Sequence, residues 1–434
     1  MLEEKEFKRK VILVSAATSP EEKEDLEEHT QELGRLANTL NMEVLDNFMV
    51  FLRKITPATF IGEGKVQEIK RAIQRTGAKM VIVDNDLKGS QERNLEQEWD
   101  VNVTTRTGII LEIFSRHART KEAKTQVELA RLEYLSTRLV GRWDHLSRQA
   151  GATGVRAGMG EKQVEIDRRL VDDRIANLKD KLQEIEKQKD VRSQHRKDEI
   201  QVAIVGYTNA GKSTLMKALT DAEVLVENQL FATLDTTVRK CEIDENHKIL
   251  LSDTVGFIRK LPHRLVASFK STLKEAREAD LILKIADISS EYRFDHLKTV
   301  NKILKELDAH KIPSFYIFNK IDKCDKEEFK KVRHEYPDAI FISSLKKMGI
   351  RKLKDELLQF LKEREIRIKL SIPAEAMKSV VELRKHSQVI EKEKYRDGEA
   401  HIDLVCYENL WNKLRPRLSD RIKIKSREKV LEDN

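Results

Sequence analysis

Apolar positions change their spacing along this chain, and each spacing predicts a different kind of element. Lys10-Val-Ile-Leu-Val-Ser15, a helical stretch from Glu21 to Leu40, a run from Met42 to Phe51, and Met80-Val-Ile-Val-Asp84 alternate strand with helix. That alternation predicts a small α/β domain over residues 1–115. From Thr120 the spacing lengthens. Leu129, Leu132, Leu135, Leu139, Trp143 and Leu146 recur every three or four residues, and so do Val171, Ile175, Leu178, Leu182 and Ile185. Two helices with matching stripes predict an antiparallel hairpin, a coiled coil over 116–199. Compact apolar runs then return at Val202–Val205, Leu250–Leu251, Ser314–Phe318 and Ile340–Ile342. They predict an α/β domain over 200–366, a mostly parallel sheet with helices on both faces. In the tail, 367–434, a helix from Ala374 to Ser387, a hairpin of Val389–Tyr395 with Ala400–Cys406, and a short helix Glu408–Leu414 predict a small α+β domain.

The chemistry concentrates in the third segment. Gly206-Tyr207-Thr208-Asn209-Ala210-Gly211-Lys212-Ser213-Thr214 follows an apolar run and opens a helical pattern, the context a phosphate-binding loop requires. Glycine backbone curls round phosphate, amides at the helix start point at the anion, Lys212 reaches the β- and γ-phosphates, and Ser213 ligates magnesium. About a hundred residues on, Asn319-Lys320-Ile321-Asp322 ends another apolar run, where a parallel strand delivers residues to the nucleotide edge of the sheet. Asp322 supplies a carboxylate for the N1–H and exocyclic amine of guanine, a donor pair that adenine lacks, with Asn319 and Lys320 framing the pocket. Ser343-Ser344-Leu345 braces the base from its far edge. Between these lies Asp253-Thr254-Val255-Gly256, whose Asp253 suits a carboxylate one water away from magnesium and whose Gly256 amide can meet a γ-phosphate. Phe231-Ala232-Thr233-Leu234-Asp235-Thr236-Thr237 offers a threonine that closes over magnesium only with GTP bound, although spacing leaves open which one. Lys212, Gly256 and that threonine are the candidate catalytic groups.

Phe257 stands where Ras-like enzymes carry a water-orienting glutamine. A phenyl ring cannot hold the attacking water, so hydrolysis is either slow or completed by a partner. Asn209 has two readings of equal weight, a ligand for a potassium ion or a loop-stabilising side chain. Phe60-Ile-Gly62-Glu-Gly64-Lys65 has too short a gap and no Ser or Thr after its lysine, so it reads as a helix-start turn rather than a second phosphate loop.

A chain of 434 residues has room for about three domains, and its 36% charged and 6% aromatic content suits long solvated helices joined to compact α/β units. The net charge of +8 points toward a polyanionic partner. It has a candidate location. The helical connector, residues 151–160, gathers Gly151, Gly154, Gly158 and Gly160, with Arg142, Arg148 and Arg156 around it, a tip able to press its backbone against RNA. Cys241, Cys324 and Cys406 show neither metal-ligand nor disulfide spacing, and no run approaches the length of a membrane span. The expectation is a cytoplasmic protein, a monomer without membrane insertion, peripheral membrane contact being left open.

With these segments assembled, the chain resembles the HflX family of GTPases along nearly its whole length. The resemblance rests on Arg106-Thr-Gly-Ile-Ile-Leu-Glu-Ile-Phe114, Gln126-Val-Glu-Leu-Ala130, Leu146-Ser-Arg-Gln149, Gly160-Glu-Lys-Gln163 and Asp167-Arg-Arg169, besides the nucleotide motifs. It implies a magnesium-dependent GTPase that cycles between GTP and GDP. It further implies binding to the large ribosomal subunit and its RNA, and the splitting or rescue of stalled ribosomes under stress. It also implies Thr233 as the magnesium ligand. The tip departs from the family pattern, with Gly151-Ala152 for Gly-Gly and Arg156-Ala-Gly-Met-Gly160 for Arg-Gly-Pro-Gly. Two alternatives stand beside this reading: a GTP-dependent scaffold or assembly factor without turnover, and an ATP-driven RNA remodeller working through the N-terminal domain.

Overall fold

The structure, a computed structural model, describes residues 8–150, 157–193, 199–220, 230–231, 237–259, 274–386, 389–396 and 398–430. The chain divides into two compact units. The first comprises Met1–Gln188 with Glu227–Asp235 and Lys260–Ser271, and the second comprises Lys189–Val226, Thr236–Arg259 and Thr272–Asn434.

In the first unit, β1 (Arg9–Ala17), β2 (Met42–Phe51), β3 (Met80–Val83) and β4 (Asn102–Thr105) form a parallel sheet of order β2-β1-β3-β4. Helices cross between strands, as parallel pairing demands. They are α1 (Pro20–Glu24) and α2 (Leu26–Thr39), α3 (Glu63–Thr76), and α4 (Gly89–Trp99). The turn Phe60–Lys65 is the start of α3, whose last turn is closed by Gly77 in the left-handed region, its amide donating to Ile73 O. Val66, Ile69, Ala72 and Ile73 present the buried face of that helix to the sheet. After β4, helix α5 (Arg106–His117) begins with a fully buried arginine. Arg106 donates to Asp84 Oδ1 at 2.8 Å and pairs with Glu32, which answers the charge that burial would otherwise leave exposed to a low dielectric.

Two long helices follow, α6 (Lys121–Ala150) and α7 (Ala157–Ser193). Because α7 begins at Ala157, Gly158 and Gly160 lie in its opening turns and not in a loop, a correction to the expected connector. Glu161, Lys162 and Gln163 favour the helix enough to carry two glycines, each costing about 1 kcal/mol relative to alanine. Gly151, Gly154 and Arg156 lie outside the described residues, and Arg142 and Arg148 are placed only as backbone positions on α6.

The second unit holds a six-stranded sheet of order β10-β9-β8-β5-β7-β6. Its strands are β5 (Ile200–Gly206), β6 (Thr237–Glu242), β7 (Lys248–Asp253), β8 (Leu281–Asp287), β9 (Ser314–Asn319) and β10 (Ile340–Phe341), and only β6 runs antiparallel to its neighbour. Both faces are covered. Leu215 and Met216 of helix α8 (Lys212–Thr220) and Leu353 and Leu357 of helix Ile350–Lys362 pack on one side, and Val300 and Ile303 of helix Arg293–Glu306 on the other. No helix among the described residues is long and apolar enough to cross a membrane.

A second, antiparallel sheet in this unit has the order β12-β13-β11-β14, built from β11 (Glu365–Pro373), β12 (Val389–Arg396), β13 (Glu399–Tyr407) and β14 (Lys423–Lys429). The expected hairpin is its β12–β13 pair. Ile366, Ile368, Leu370 and Ile372 of β11 alternate inward against Leu410, Trp411 and Leu414 of helix Glu408–Leu414. His247, on the turn between β6 and β7, links the two sheets. Its Nδ1 lies 2.7 Å from Asp244 Oδ1 and its Nε2 3.1 Å from Glu365 Oε1 on β11.

The pKa of His247 is raised, chiefly by the Glu365 hydrogen bond and against the effect of burial. A raised folded value means that the stabilisation is complete below the unfolded pKa of about 6.5 and is lost as pH rises through the folded value. Calorimetric melting of the full chain is therefore expected to show a fall in Tm over that interval that is smaller in His247→Gln. Parallel curves for the two proteins would refute it.

Candidate nucleotide-binding site

β5 ends at Gly206 and α8 starts at Lys212, so the loop between them lies at the carboxyl edge of the parallel sheet. Two positive φ values curl the loop, 59° at the exposed Asn209 and 96° at Gly211. A side chain at Gly211 would run into Asn319 Nδ2, so glycine is required there for space as well as for backbone angle. Lys212 is buried, and its Nζ donates to Gly206 O at 3.2 Å and Tyr207 O at 3.0 Å, strapping the loop across its mouth. Burial pushes its pKa down to about 8, with Asp253 working against that shift and Lys320 adding to it.

The Ser213 hydroxyl donates to Asp253 Oδ2 at 2.6 Å, placing a hydroxyl and a carboxylate side by side at the helix start. Both are hard oxygen donors, and the pair suits magnesium held between protein and phosphates. Thr254 has another task, since its hydroxyl donates to Ile204 O at 2.8 Å and its side chain is fully buried. Val255 is buried too, and Gly256 follows in open backbone beside Lys212.

Phe257 points away from this site. It is 3% exposed and packs among Ala203, Val205, Ala276, Ile282 and Val300 on the far side of the sheet. Its backbone zips to the phosphate loop, donating to Gly206 O at 3.0 Å and accepting from Thr208 N at 2.8 Å. Tyr207 adds a link that the sequence did not show. Its ring stacks on His296 with centroids 3.8 Å apart, and its hydroxyl accepts from the Arg259 amide at 2.8 Å. The phosphate loop, the segment after β7 and helix Arg293–Glu306 are thereby joined through one side chain.

At the other end, Asn319 is buried and spans two segments. Its Nδ2 donates to Ala210 O at 2.9 Å, while its Oδ1 accepts from Ser344 N at 2.9 Å and Ser344 Oγ at 3.0 Å. Asn319 therefore ties the phosphate loop to the turn at Ser343–Leu345. Asp322 accepts from Ser343 Oγ at 2.6 Å, which lowers its pKa and keeps an accessible carboxylate charged. Lys320 pairs with Asp287 at 2.7 Å, and Ile321 begins a short 3-10 turn. Asp287 went unread in the sequence, although an acid at the end of an apolar run was the available signal. Leu345 is 74% exposed. Phe231, at φ 58°, belongs to the first unit, where its ring meets Phe114 edge-on at 4.7 Å. Ala232, Thr233, Leu234 and Asp235 lie outside the described residues.

Three families of known proteins match successive parts of this chain. Residues 27–115 match the family described as GTP-binding GTPase N-terminal, 117–196 the GTP-binding GTPase Middle Region, and 201–320 the 50S ribosome-binding GTPase. GTPase HflX of Magnetococcus marinus is 39% identical over 93% of this chain and 94% of its own length. GTPase HflX of Escherichia coli is 44% identical over 80% of both chains, and that of Flavobacterium psychrophilum 48% over 72% of this chain and 75% of its own. A GTP-binding protein of Sulfolobus solfataricus, solved in complex with GDP, aligns over 81% of this chain and 98% of its own at 25% identity, with a TM-score of 0.42.

Two outcomes are expected. Phosphate oxygens hold Lys212 protonated, so GDP binding near pH 8 should take up a fraction of a proton and weaken as pH rises past that value. Calorimetry in buffers of different ionisation enthalpy reads the uptake, which should vanish in Lys212→Met. A Cβ at Gly256 would lie 2.9 Å from Lys212 Nζ and 2.8 Å from Thr208 Cγ2. Gly256→Ala should therefore displace that ammonium and slow GTP hydrolysis on the order of a hundredfold, measured as phosphate release at saturating GTP.

Proposed function

Given that this chain belongs to the HflX family of GTPases, we propose that it couples GTP hydrolysis to binding of the large ribosomal subunit and to the splitting or rescue of stalled ribosomes. The observation that carries the coupling is Phe257. Its ring is packed into the core, so the position after Gly256 offers no group to the attacking water, and the missing function is supplied by a docked partner. The match of residues 201–320 to ribosome-binding GTPases supports the ribosome as that partner. The basic, glycine-rich segment 151–160 supports contact with its RNA through Arg142, Arg148, Arg156 and the surrounding glycines.

In this reading Ser213 and Thr233 hold magnesium, with Asp253 behind them, and the ion neutralises charge on the β- and γ-phosphates. Asn209, exposed on the loop, keeps both its readings, a ligand for a potassium ion or a loop-stabilising side chain. Asp322 selects guanine, and Lys212 holds the phosphates. With GTP bound, the segments carrying Thr233 and Gly256 close over the γ-phosphate and favour the subunit-binding form. Hydrolysis releases them and weakens that form. The protein acts as a monomer in the cytoplasm.

Sedimentation of purified large subunits with the chain plus GTP, GDP or a non-hydrolysable analogue tests this directly. Binding should be strongest with the analogue and GTP, and multiple-turnover phosphate release should rise by on the order of tenfold or more when ribosomes are added. Nucleotide-independent sedimentation, or equal turnover with and without ribosomes, would overturn it.

A further inference from the structure

Charge is unevenly distributed in this chain. From residue 411 to residue 430 there are eight basic residues, Lys413 through Lys429, against Asp420 and Glu428. Six of the chain's eight net positive charges thus fall in twenty residues. The fold turns these charges outward. The apolar side chains between them, Trp411, Leu414, Leu418 and Ile422, are all buried in the core beneath the antiparallel sheet. Arg417, Arg421, Lys423, Lys425, Arg427 and Lys429 are all exposed.

The strand that carries most of them, β14, is an edge of its sheet and pairs only with β11 among the described residues. Register extends the patch onto the open face: Lys423 lies opposite Ser371, and the same row continues through His401 to Lys394. Lys425 Nζ comes within 3.1 Å of His401 Nδ1, so the two sit on that same face. Arg421 is answered by Glu375 and Arg427 by Glu408. With the Ser371 hydroxyl that donates to it, Lys423 and Lys425 help to hold down the pKa of the Glu399 carboxylate that they face, so that one acid stands within the cationic row of the open face. Lysine on an edge strand can serve only to discourage strand-to-strand aggregation. That role does not account for Arg415 and Arg417, which lie in the turn before the strand.

We infer that β14 and the turn leading into it form a second RNA-binding surface, one that grips the sugar-phosphate backbone without reading bases. A register shift at Lys369/Leu370 divides the cations, with Lys423 and Lys425 on the open face and Arg427 and Lys429 opposite Ile368 and Ile366, so the exposed edge carries cations on both sides within reach of a phosphate chain running along it. Backbone contact of this kind fixes orientation and carries no sequence information. An anionic membrane surface is the other polyanion, but an interfacial anchor needs apolar side chains beside its cations. Here those side chains are buried, Ile424 excepted. The inference rests on the ribosomal reading for the identity of the RNA as ribosomal.

The test uses the full chain and the triple variant Lys423→Gln, Lys425→Gln, Lys429→Gln, with far-ultraviolet circular dichroism and isolated GTP turnover as controls that should match the native chain. Affinity for a fluorescent RNA hairpin is measured across a potassium chloride series. The variant should bind on the order of tenfold more weakly at about 0.15 M salt, and its log–log salt slope should be shallower by about 2 to 3. Unchanged affinity and slope would overturn the proposal, as would increased aggregation with RNA binding intact, which would leave edge protection as the role. Loss of binding to phosphatidylserine-containing vesicles, with hairpin binding retained, would overturn it in favour of a membrane. Sedimentation with large subunits is run in parallel. Native chain that holds the hairpin but ignores the subunits would count against the ribosomal reading and leave the surface standing.

Discussion

Lys212 places an ammonium charge where water is almost absent, held there by the two carbonyls that it straps together. Asp253 answers part of it from across the loop, but that carboxylate is already engaged by Ser213. An anion arriving between the loop amides and this ammonium completes the arrangement. The surrounding constraints serve that single geometry. Gly211 allows the loop to turn beneath Asn319, Gly256 leaves room for the ammonium, and Asn319 fixes the loop to the turn that faces the base. Phosphate and base recognition are thus mechanically one site, although they are built from segments more than a hundred residues apart.

The same rigidity holds the position after Gly256. Phe257 is held by two backbone hydrogen bonds to the phosphate loop and by apolar packing behind the sheet. Turning its ring out of that packing would expose a phenyl group and would still supply no hydrogen-bonding atom. Tyr207 strengthens the hold, since it engages Arg259 and His296 together. In the proposed function, the positioning of water is left to the partner that docks beside this site.

Much of this was legible before any coordinates, and the parts that were not share a cause. The two long helices, the strands leading to Gly206 and Asn319, and the β12–β13 hairpin all follow from spacing of apolar residues within single segments. Strand β11 carries an equally clear alternation, Ile366 to Ile372, and follows helix Ile350–Lys362 with only Glu363 and Arg364 between them. Strand β14 could not be read at all. It lies at a sheet edge with every residue wholly or partly exposed, so it has no inward apolar positions to reveal a period of two.

By itself the sequence determined the family and the place of the phosphate-loop motif, because such a loop is a local backbone conformation written in contiguous residues. The expectations for phosphate, magnesium and guanine all rest on Gly206–Ser213, Asp253 and Asn319–Asp322. Only the tertiary structure decided what the neighbours of those residues do. Asn319 became a tie between loops, Thr254 a brace to β5, Phe257 a core residue and Tyr207 a junction. Each of these roles depends on a partner roughly fifty to a hundred residues away, brought close by parallel pairing of β5, β7, β8 and β9. A residue type states which interactions are possible, and the sheet selects among them by choosing which side chains meet.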